Sequence, residues 1–188
     1  IGGGYGHAAV GNRSTISGGY CNRADGYLGT VGGGCCNSAY SSCSTISGGY
    51  KNFGCGSSST VAGGEFNCAI GAYSSITGGH TNTIQASGTW GFIGGGQSNL
   101  ICGDTSCYAV IAGGWDNTVT AEQAVVAGGR QNCANGLRST VGGGFCNYTQ
   151  EEFSTIGGGV NNVINAFAYR STIAGGSNNV ASGSRSTI

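Results

Sequence analysis

The apolar positions of this chain alternate with polar or small positions inside short segments, and glycine, serine and asparagine bound each segment. In the stretch STISGGYCN at residues 14–22, for example, Ile16 is flanked on both sides by small or polar residues. A helix would place apolar residues every three or four positions, whereas alternation is typical of a strand. Glycine, asparagine and serine supply the backbone angles of tight turns. The pattern therefore predicts strands of about four or five residues joined by turns.

The same pattern returns along the whole chain with a fixed period. The stretch STISGGYKN at residues 44–52 repeats the first copy with one change, thirty residues later. One aliphatic residue marks each unit, and nine of the twelve spacings between these residues are 15, the others being 17, 18 and 17. We predict that this residue, taken as position 0 of the unit, forms a core ladder of Ile16, Val31, Ile46, Val61, Ile76, Ile93, Ile111, Val126, Val141, Ile156 and Ile173.

Other positions of the unit are almost as regular. Positions +2 and +3 are glycine in all twelve complete units, position +8 is mostly a small or aliphatic residue, and position +6 is asparagine in eleven units, with His7 as the exception. Because asparagine amides stacked one above another can bond to each other, we expect each side chain to bond to those above and below it. The predicted asparagine ladder is Asn22, Asn37, Asn52, Asn67, Asn82, Asn99, Asn117, Asn132, Asn147, Asn162 and Asn179.

Stacking is what such a unit requires, because one unit alone cannot bury its aliphatic residue. Two strands and two turns account for the fifteen residues of a unit, so we predict an all-β fold, a parallel β-solenoid with two sheets and about twelve 15-residue coils. Residues 1–188 form a single domain without a linker in this interpretation. The glycine at position +2 should point inward and let the opposite strand approach closely, and the glycine at +3 should serve the backbone conformation of a corner.

Composition and charge exclude several classes of function. The chain has 41 Gly, no Pro, and seven basic and seven acidic residues, which cancel. This balance lacks the basic surface that nucleic acid requires, and no run of 18 apolar residues could span a bilayer. Glycine runs lie at repeat corners and not between a strand and a helix, which argues against a phosphate loop, and three Asp are too few for a calcium-binding roll. We predict no enzyme, no cofactor and no metal site.

Ten cysteines suggest an oxidising, extracellular location. Cys21 and Cys36 share position +5 on successive units, and the spacing of ~4.8 Å between stacked strands suits a disulfide. Cys102 and Cys107 flank the longest insertion and are the second candidate pair. The remaining six cysteines have no obvious partner within the chain, so we expect some of them to link different molecules.

Residues outside the regular columns are concentrated at one corner. The three longer spacings place extra residues at 87–89, 104–107 and 167–169. Three positions before the aliphatic residue, the same corner carries four arginines and four large aromatics. Insertions at one edge of a solenoid often form a contact surface, and arginine beside an aromatic ring allows cation–π contacts within the chain or with a neighbouring one.

The repeat resembles those of three known groups. Thr15-Ile16-Ser17-Gly18-Gly19 with Asn22-Arg23-Ala24-Asp25-Gly26 resembles the head repeats of trimeric autotransporter adhesins, which implies a left-handed parallel β-roll. The same two halves look like grass ice-binding repeats, which implies a flat outward array of threonine. The abundant glycine, the absence of proline and the cysteines resemble archaeal cell-sheath proteins, which implies subunits joined edge to edge.

The two ends of the repeat series suggest a function. Ile1 and Ile188 occupy the same column, and neither end carries a polar cap. Open strand edges template further pairing. We therefore expect an extracellular structural protein that assembles with itself through Ile1 and Ile188 into a filament, ring or sheath, with disulfide reinforcement. The alternative is a binding module of the adhesin or ice-binding type, although Phe92, Val110 and Val125 interrupt the threonine column.

Overall fold

The computed structural model describes residues 1–188 and confirms the predicted fold class. The chain contains no helix, and its strands belong to two long parallel sheets that wind together as a solenoid of about twelve turns. We call each turn a coil. Odd-numbered strands belong to one sheet and even-numbered strands to the other, because each coil contributes one strand to each side.

The first sheet, the alanine sheet, has twelve strands and contains position +8 of every unit. Its strands are β1 (Ala8–Ala9), β3 (Arg23–Ala24), β5 (Ser38–Ala39), β7 (Phe53–Gly54), β9 (Cys68–Ala69), β11 (Thr83–Ile84), β13 (Leu100–Thr105), β15 (Thr118–Ala121), β17 (Cys133–Ala134), β19 (Tyr148–Thr149), β21 (Val163–Ile164) and β23 (Val180–Ala181).

The second sheet, the isoleucine sheet, has eleven strands and contains position 0. Its strands are β2 (Thr15–Ile16), β4 (Thr30–Val31), β6 (Thr45–Ile46), β8 (Thr60–Val61), β10 (Ser75–Ile76), β12 (Phe92–Ile93), β14 (Val110–Ile111), β16 (Val125–Val126), β18 (Thr140–Val141), β20 (Thr155–Ile156) and β22 (Thr172–Ile173).

Pairing between coils is in register along both sheets. Ile16 lies beside Val31, and Val31 lies beside Ile46. The only shift of register occurs between β13 and β15, where the coil with the longest insertion passes its neighbour. Longer units are therefore accommodated at the corner while the two sheets keep their registers on either side of it.

The strands are shorter than the sequence pattern predicted. All but two of the 23 strands have two residues, and a third line of single parallel bridges runs along position +4, from Tyr5 and Tyr20 to Ser177. The reason is that each coil turns at two further places through residues in the left-handed conformation. Leu28 (φ 56°) and Cys36 (φ 56°) are examples from the two columns, −3 and +5, that hold nearly all such residues other than glycine.

The core is a narrow file of side chains between the sheets. The side chains at position 0 from Ile16 to Ile173 are fully buried, and Ala24, Ala39 and Ala69 face them from the alanine sheet. The apolar file is interrupted at Thr149, whose buried hydroxyl donates a 2.9 Å hydrogen bond to Ser139 Oγ. Ile156, Ile164, Ala168, Ile173 and Ala181 form a separate apolar cluster beyond it.

Candidate assembly surface

The side chains of the asparagine column form hydrogen bonds mainly with backbone groups. Bonds between asparagine side chains are fewer than the sequence pattern predicted. In the central case, Asn82 Nδ2 donates to the carbonyl of Gly78 in its own coil (3.1 Å) and to that of Gly96 in the next coil (2.9 Å). Its Oδ1 accepts the backbone N–H of Asn99 at 3.0 Å. Direct amide contacts accompany these bonds in six pairs, at 3.0–3.2 Å. The asparagines from Asn22 to Asn162 thus join two coils, and they bond to the +2 carbonyl and the +6 N–H, which have no backbone partner.

His7 occupies the place of an asparagine in the first coil and reproduces part of its role. His7 Nδ1 accepts the backbone N–H of Asn22 at 3.1 Å. The second ring nitrogen, Nε2, is buried and has no hydrogen-bond partner. An imidazole therefore replaces the accepting oxygen of the amide but not its donating nitrogen.

The glycine at +3 is required by the backbone of the corner. Gly64, for example, has φ +83°, and a Cβ placed on it would lie 2.1 Å from the carbonyl oxygen of Gly79. Any side chain there would collide with the next coil. The same approach recurs along the column from Gly4 to Gly159.

The glycine at +2 does not point inward, which corrects the sequence-based expectation. A Cβ placed on any member of this column would have no heavy atom nearer than 3.8 Å, and at Gly48, Gly63 and Gly113 none within 4 Å. The chain has begun to turn at this point, so the alternation of the strand no longer applies. We call this column the glycine strip, and it comprises Gly3, Gly18, Gly33, Gly48, Gly63, Gly78, Gly95, Gly113, Gly128, Gly143, Gly158 and Gly175.

Contacts with neighbouring atoms therefore do not explain the glycine strip, and a positive φ explains glycine only at Gly78, Gly95, Gly128 and Gly143. The N–H groups of the strip donate to no atom of the chain, while their carbonyls accept the asparagine side chains. Peptide groups with an unpaired N–H consequently lie along one side of the rod at intervals of one coil, half-buried in most coils and buried at Gly95.

The side of the rod beside the glycine strip carries no charge. Outward positions −1 and +1 of the isoleucine sheet hold only threonine, serine, glycine, alanine, valine and one phenylalanine. The charged residues lie elsewhere: at positions +4 and +5 beyond the glycine strip, as Glu65 and Arg130 do, at the opposite corner, or on the alanine sheet. We call this surface, together with the glycine strip, the neutral face, and it is flat because the strands beneath it are in register and its side chains are small.

The cysteines do not form the predicted disulfides, since all ten are free thiols in the structure. Cys36 Sγ lies 3.5 Å from Cys35 Sγ, and the Cys21 thiol lies close to Gly6 of the preceding coil, so Cys21 and Cys36 are directed to different neighbours. Cys102 lies within the six-residue strand β13, whereas the Cys107 thiol donates to the carbonyl of Ser87 in the preceding coil at 3.5 Å. These strand and rotamer directions were not visible in the spacing of the cysteines.

One thiol pair lies on a diagonal between neighbouring coils, which a search within columns could not find. Cys55 and Cys68 meet on the outer surface of the alanine sheet, where Phe53 pairs with Cys68. A hydrogen bond from Cys68 lowers the pKa of the Cys55 thiol to about 7, and the same bond raises the pKa of Cys68. Burial raises the pKa of Cys133 to about 11.

The corner column at −3 forms its aromatic and cation–π contacts within the chain. Tyr73, Trp90 and Tyr108 stack in parallel, with ring centroids 5.1 Å apart at both steps. Arg138 and Arg170 belong to the coils on either side of Phe153, and both lie over its ring. Their Cζ atoms are 5.5 and 5.6 Å from the ring centroid. The faces of these rings are therefore covered by one another or by guanidinium groups of the same chain.

The predicted assembly residues at the two ends lie on the surface. Ile1 is 69% exposed and Ile188 is 47% exposed, and both continue the position 0 column. Ala174 N–H donates to the Ile188 carbonyl at 2.8 Å, and Gly2 N–H donates to the Ile16 carbonyl at 2.8 Å. Both residues therefore pair with an adjacent coil on one side.

Comparisons with known proteins provide no family for the chain. The sequence matches no protein-family model, and no curated protein is significantly similar to it. The structure has no helix of the length and apolarity needed to cross a membrane. No group of three or more His, Cys, Asp or Glu side chains is arranged to hold a metal ion.

Proposed function

We propose that the chain is an extracellular structural protein whose rods associate side by side with copies of themselves through the neutral face. The observation that carries the proposal is the glycine strip. In eight of the twelve coils, glycine is kept at a position where neither a neighbouring atom nor a positive φ excludes a methyl group, whereas at Gly78, Gly95, Gly128 and Gly143 a φ between +132° and +158° itself favours glycine. A partner that approaches the bare backbone closely supplies a reason for the missing side chain.

A second copy of the chain suits this surface for geometric reasons. Its peptide groups recur at the same interval of ~4.8 Å, so every coil can meet an equivalent coil. Each exposed peptide carries a donor, and the face has no charge that would repel its own copy. Faces of glycine, alanine and serine pack closely, as the stacked sheets of fibrous proteins do.

The available area is sufficient for a stable contact. Twelve coils at ~4.8 Å form a face about 58 Å long, and four residues from −1 to +2 make it about 13 Å wide. Two such faces together remove about 1,500 Å² from solvent, which is within the range of specific interfaces. The proposal concerns the side of the rod and does not depend on its ends.

Ten thiols close to the surface support a further element of the proposal, disulfide reinforcement between rods. Cys43 is exposed, and the other nine are half-buried. Outside the cell, oxygen or a small disulfide would act as the oxidant that joins such thiols. Non-reducing electrophoresis of assembled protein, compared with the same sample after reduction, measures these links.

Substitutions in the glycine strip separate folding from assembly. We expect the triple variant Gly48→Ala, Gly63→Ala and Gly113→Ala to unfold at a denaturant concentration at least as high as that of the parent, because no atom lies within 4 Å of the new methyl groups and alanine restricts the unfolded chain. The methyl groups hold a partner away, so sedimentation should show association weakened at least about tenfold. A parent chain that stays monomeric at millimolar concentration contradicts the proposal.

Charge placed on two surfaces provides a matched comparison. Ala62→Glu with Ala112→Glu adds like charges to the neutral face and should abolish association. Ile70→Glu adds a charge to the outer surface of the alanine sheet, where Ile70 is exposed, and should leave association unchanged. Equal effects of both changes would show that the neutral face is not the interface.

An ice-binding function is the second candidate, and one observation favours it. Thr15, Thr30, Thr45 and Thr60 stand in an unbroken outward row on the flat isoleucine sheet, paired coil to coil. Thermal hysteresis of the parent chain, lost on replacing Thr30 and Thr45 by Lys, would establish this function. A stable trimer in solution would instead favour an adhesin.

A further inference from the structure

A surface cleft of about 320 Å³ lies at the corner of the last three coils. Positions −4 and −3 of successive coils line it, so the same backbone step is repeated three times. Its residues are Glu152, Phe153, Tyr169, Arg170, Ser184 and Arg185. The size is at the lower end of the range for small-molecule sites and matches a single sugar ring.

The insertion at 167–169 builds one wall of this cleft. Glu151 accepts the backbone N–H of Phe167 at 2.8 Å, which ties the inserted residues to the preceding coil. Ala168 is fully buried in the apolar cluster with Ile164. Tyr169 is thereby held at the surface between two regular coils.

Backbone hydrogen bonds fix the spacing of the two cationic residues. Arg170 N–H donates to the Glu152 carbonyl at 3.1 Å, and Arg185 N–H donates to the Tyr169 carbonyl at 2.8 Å. Arg170 and Arg185 therefore stand in the same column, one coil apart.

The two guanidinium groups have no carboxylate partner. Arg23 with Asp25 forms the only ion pair of the chain, so Arg170 and Arg185 are one coil apart without a bound counter-charge. Phe153 contacts only one of them, Arg170, whose Cζ lies 5.6 Å from the ring centroid. With Glu152 included, the cleft has a formal charge of +1, which favours a ligand with one negative charge.

We infer that this cleft binds a monosaccharide that carries a carboxylate. Arg170 and Arg185 donate to the two carboxylate oxygens, since guanidinium groups match carboxylate geometry. The exposed ring of Tyr169 packs against the apolar C–H face of the sugar, and Ser184 and Glu152 bond to its hydroxyl groups. The site lies on the corner, away from the neutral face, and does not depend on assembly.

Titration with glucuronate, followed by backbone amide NMR shifts, tests the inference. We expect saturable shifts at residues 152–153, 169–170 and 184–185. Glucose, acetate and inorganic phosphate should each bind at least about tenfold more weakly, because each lacks either the carboxylate or the sugar ring. Equal binding of glucose, or of acetate or phosphate, would overturn the inference.

Single arginine substitutions locate the site. Arg170→Gln and Arg185→Gln should each weaken glucuronate binding at least about tenfold, whereas Arg13→Gln, at the equivalent position of another coil, should change it by less than about twofold. Unchanged binding in both cleft variants contradicts the inference. Amide spectra of the free variants that overlay with the parent outside the cleft show that the fold is retained.

Discussion

At the level of single residues, this fold depends on the buried side-chain amides of the asparagine column. Ten asparagines are buried in one column, and each connects its own turn to the next coil. Buried polar groups are stabilising only when all of their bonds are made, and here the backbone of two coils supplies the partners. The column therefore both satisfies the turns and holds neighbouring coils at one height.

Replacing one buried asparagine tests this role. Asn82→Ala leaves the carbonyl of Gly78 and the N–H of Asn99 without partners and removes one of the two bonds to the carbonyl of Gly96, and it should lower the free energy of unfolding by about 3 kcal/mol. Denaturant unfolding followed by circular dichroism measures the change. Asn12→Ala is the control, because Asn12 is exposed and its φ is not positive, and it should change stability by less than about 0.5 kcal/mol. Similar losses in the two variants would contradict the role of the column.

Thiol reactivity is a second residue-scale prediction. At pH 7.5 the Cys55 thiol, whose pKa the Cys68 thiol lowers to about 7, is far more ionised than Cys133, whose pKa burial raises to about 11. Since the thiolate is the nucleophile, iodoacetamide should modify Cys55 well before Cys133, as peptide mass spectrometry can follow.

The partner residue supplies the control for this reactivity. Cys68→Ala removes the hydrogen bond that stabilises the Cys55 thiolate, and modification of Cys55 at pH 7.5 should slow. Modification of Cys55 at the same rate in this variant would show that exposure alone sets its reactivity.

Glycines in the strands and glycines at the corners differ in whether their surroundings would tolerate a side chain. Gly54 stands in β7 at a position where six of the twelve coils have alanine, and its φ is not positive. Its nearest neighbours are side-chain atoms, Ser44 Cβ at 3.3 Å and Ser59 Oγ at 3.4 Å. Gly64 at a corner instead faces backbone at 2.1 Å. The first is a flexible point in a strand and the second is a steric necessity.

Alanine at these two positions should act in opposite directions. Gly54→Ala should stabilise by about 0.5–1 kcal/mol, because it reduces the freedom of the unfolded chain and the free Ser59 hydroxyl can rotate away. Gly64→Ala should destabilise by more than about 2 kcal/mol, since both φ +83° and the neighbouring carbonyl exclude a side chain. Thermal melting distinguishes the two, and a loss of stability at Gly54 would show that the serine neighbours cannot adjust.

At the scale of the whole molecule, the rod is a repeat of nearly equivalent coils. Each coil contacts only the coils before and after it, so stability is approximately a sum of coil terms and interfaces between neighbours. The two sheets and the line of bridges run through all of these interfaces without a change of order.

Removal of one coil tests this additivity. Deleting residues 31–45 brings Ile46 onto Ile16 in the same register and should lower the melting temperature by less than about 5 °C. Deleting residues 31–37 removes half a coil, with one strand and the corner, so the neighbouring coils can no longer stack in register. The cooperative melting transition of those coils should be lost. Comparable melting of both variants would contradict stacking in register.

The sequence by itself determined the period, the parallel stacking and the contents of the inward columns. Identical residues every fifteen positions bury their side chains and complete their hydrogen bonds only when they lie directly above one another. Ile16, Val31 and Ile46 illustrate this, since no other register would hide all three.

Only the tertiary structure decided the features that depend on where each coil bends and on neighbours along a diagonal. The bend beginning at position +2 exposes Gly63 to open space, although strand alternation places it inside. Cys55 meets Cys68 instead of a cysteine in its own column, and the insertion at 167–169 brings Tyr169 beside Arg170 and Arg185. Backbone angles at the corners set these directions, and residues of very different size, such as Leu28 and Cys36, adopt the same left-handed conformation there. Composition and spacing contain no signal for such angles, because the stack imposes them on whatever residue occupies the corner.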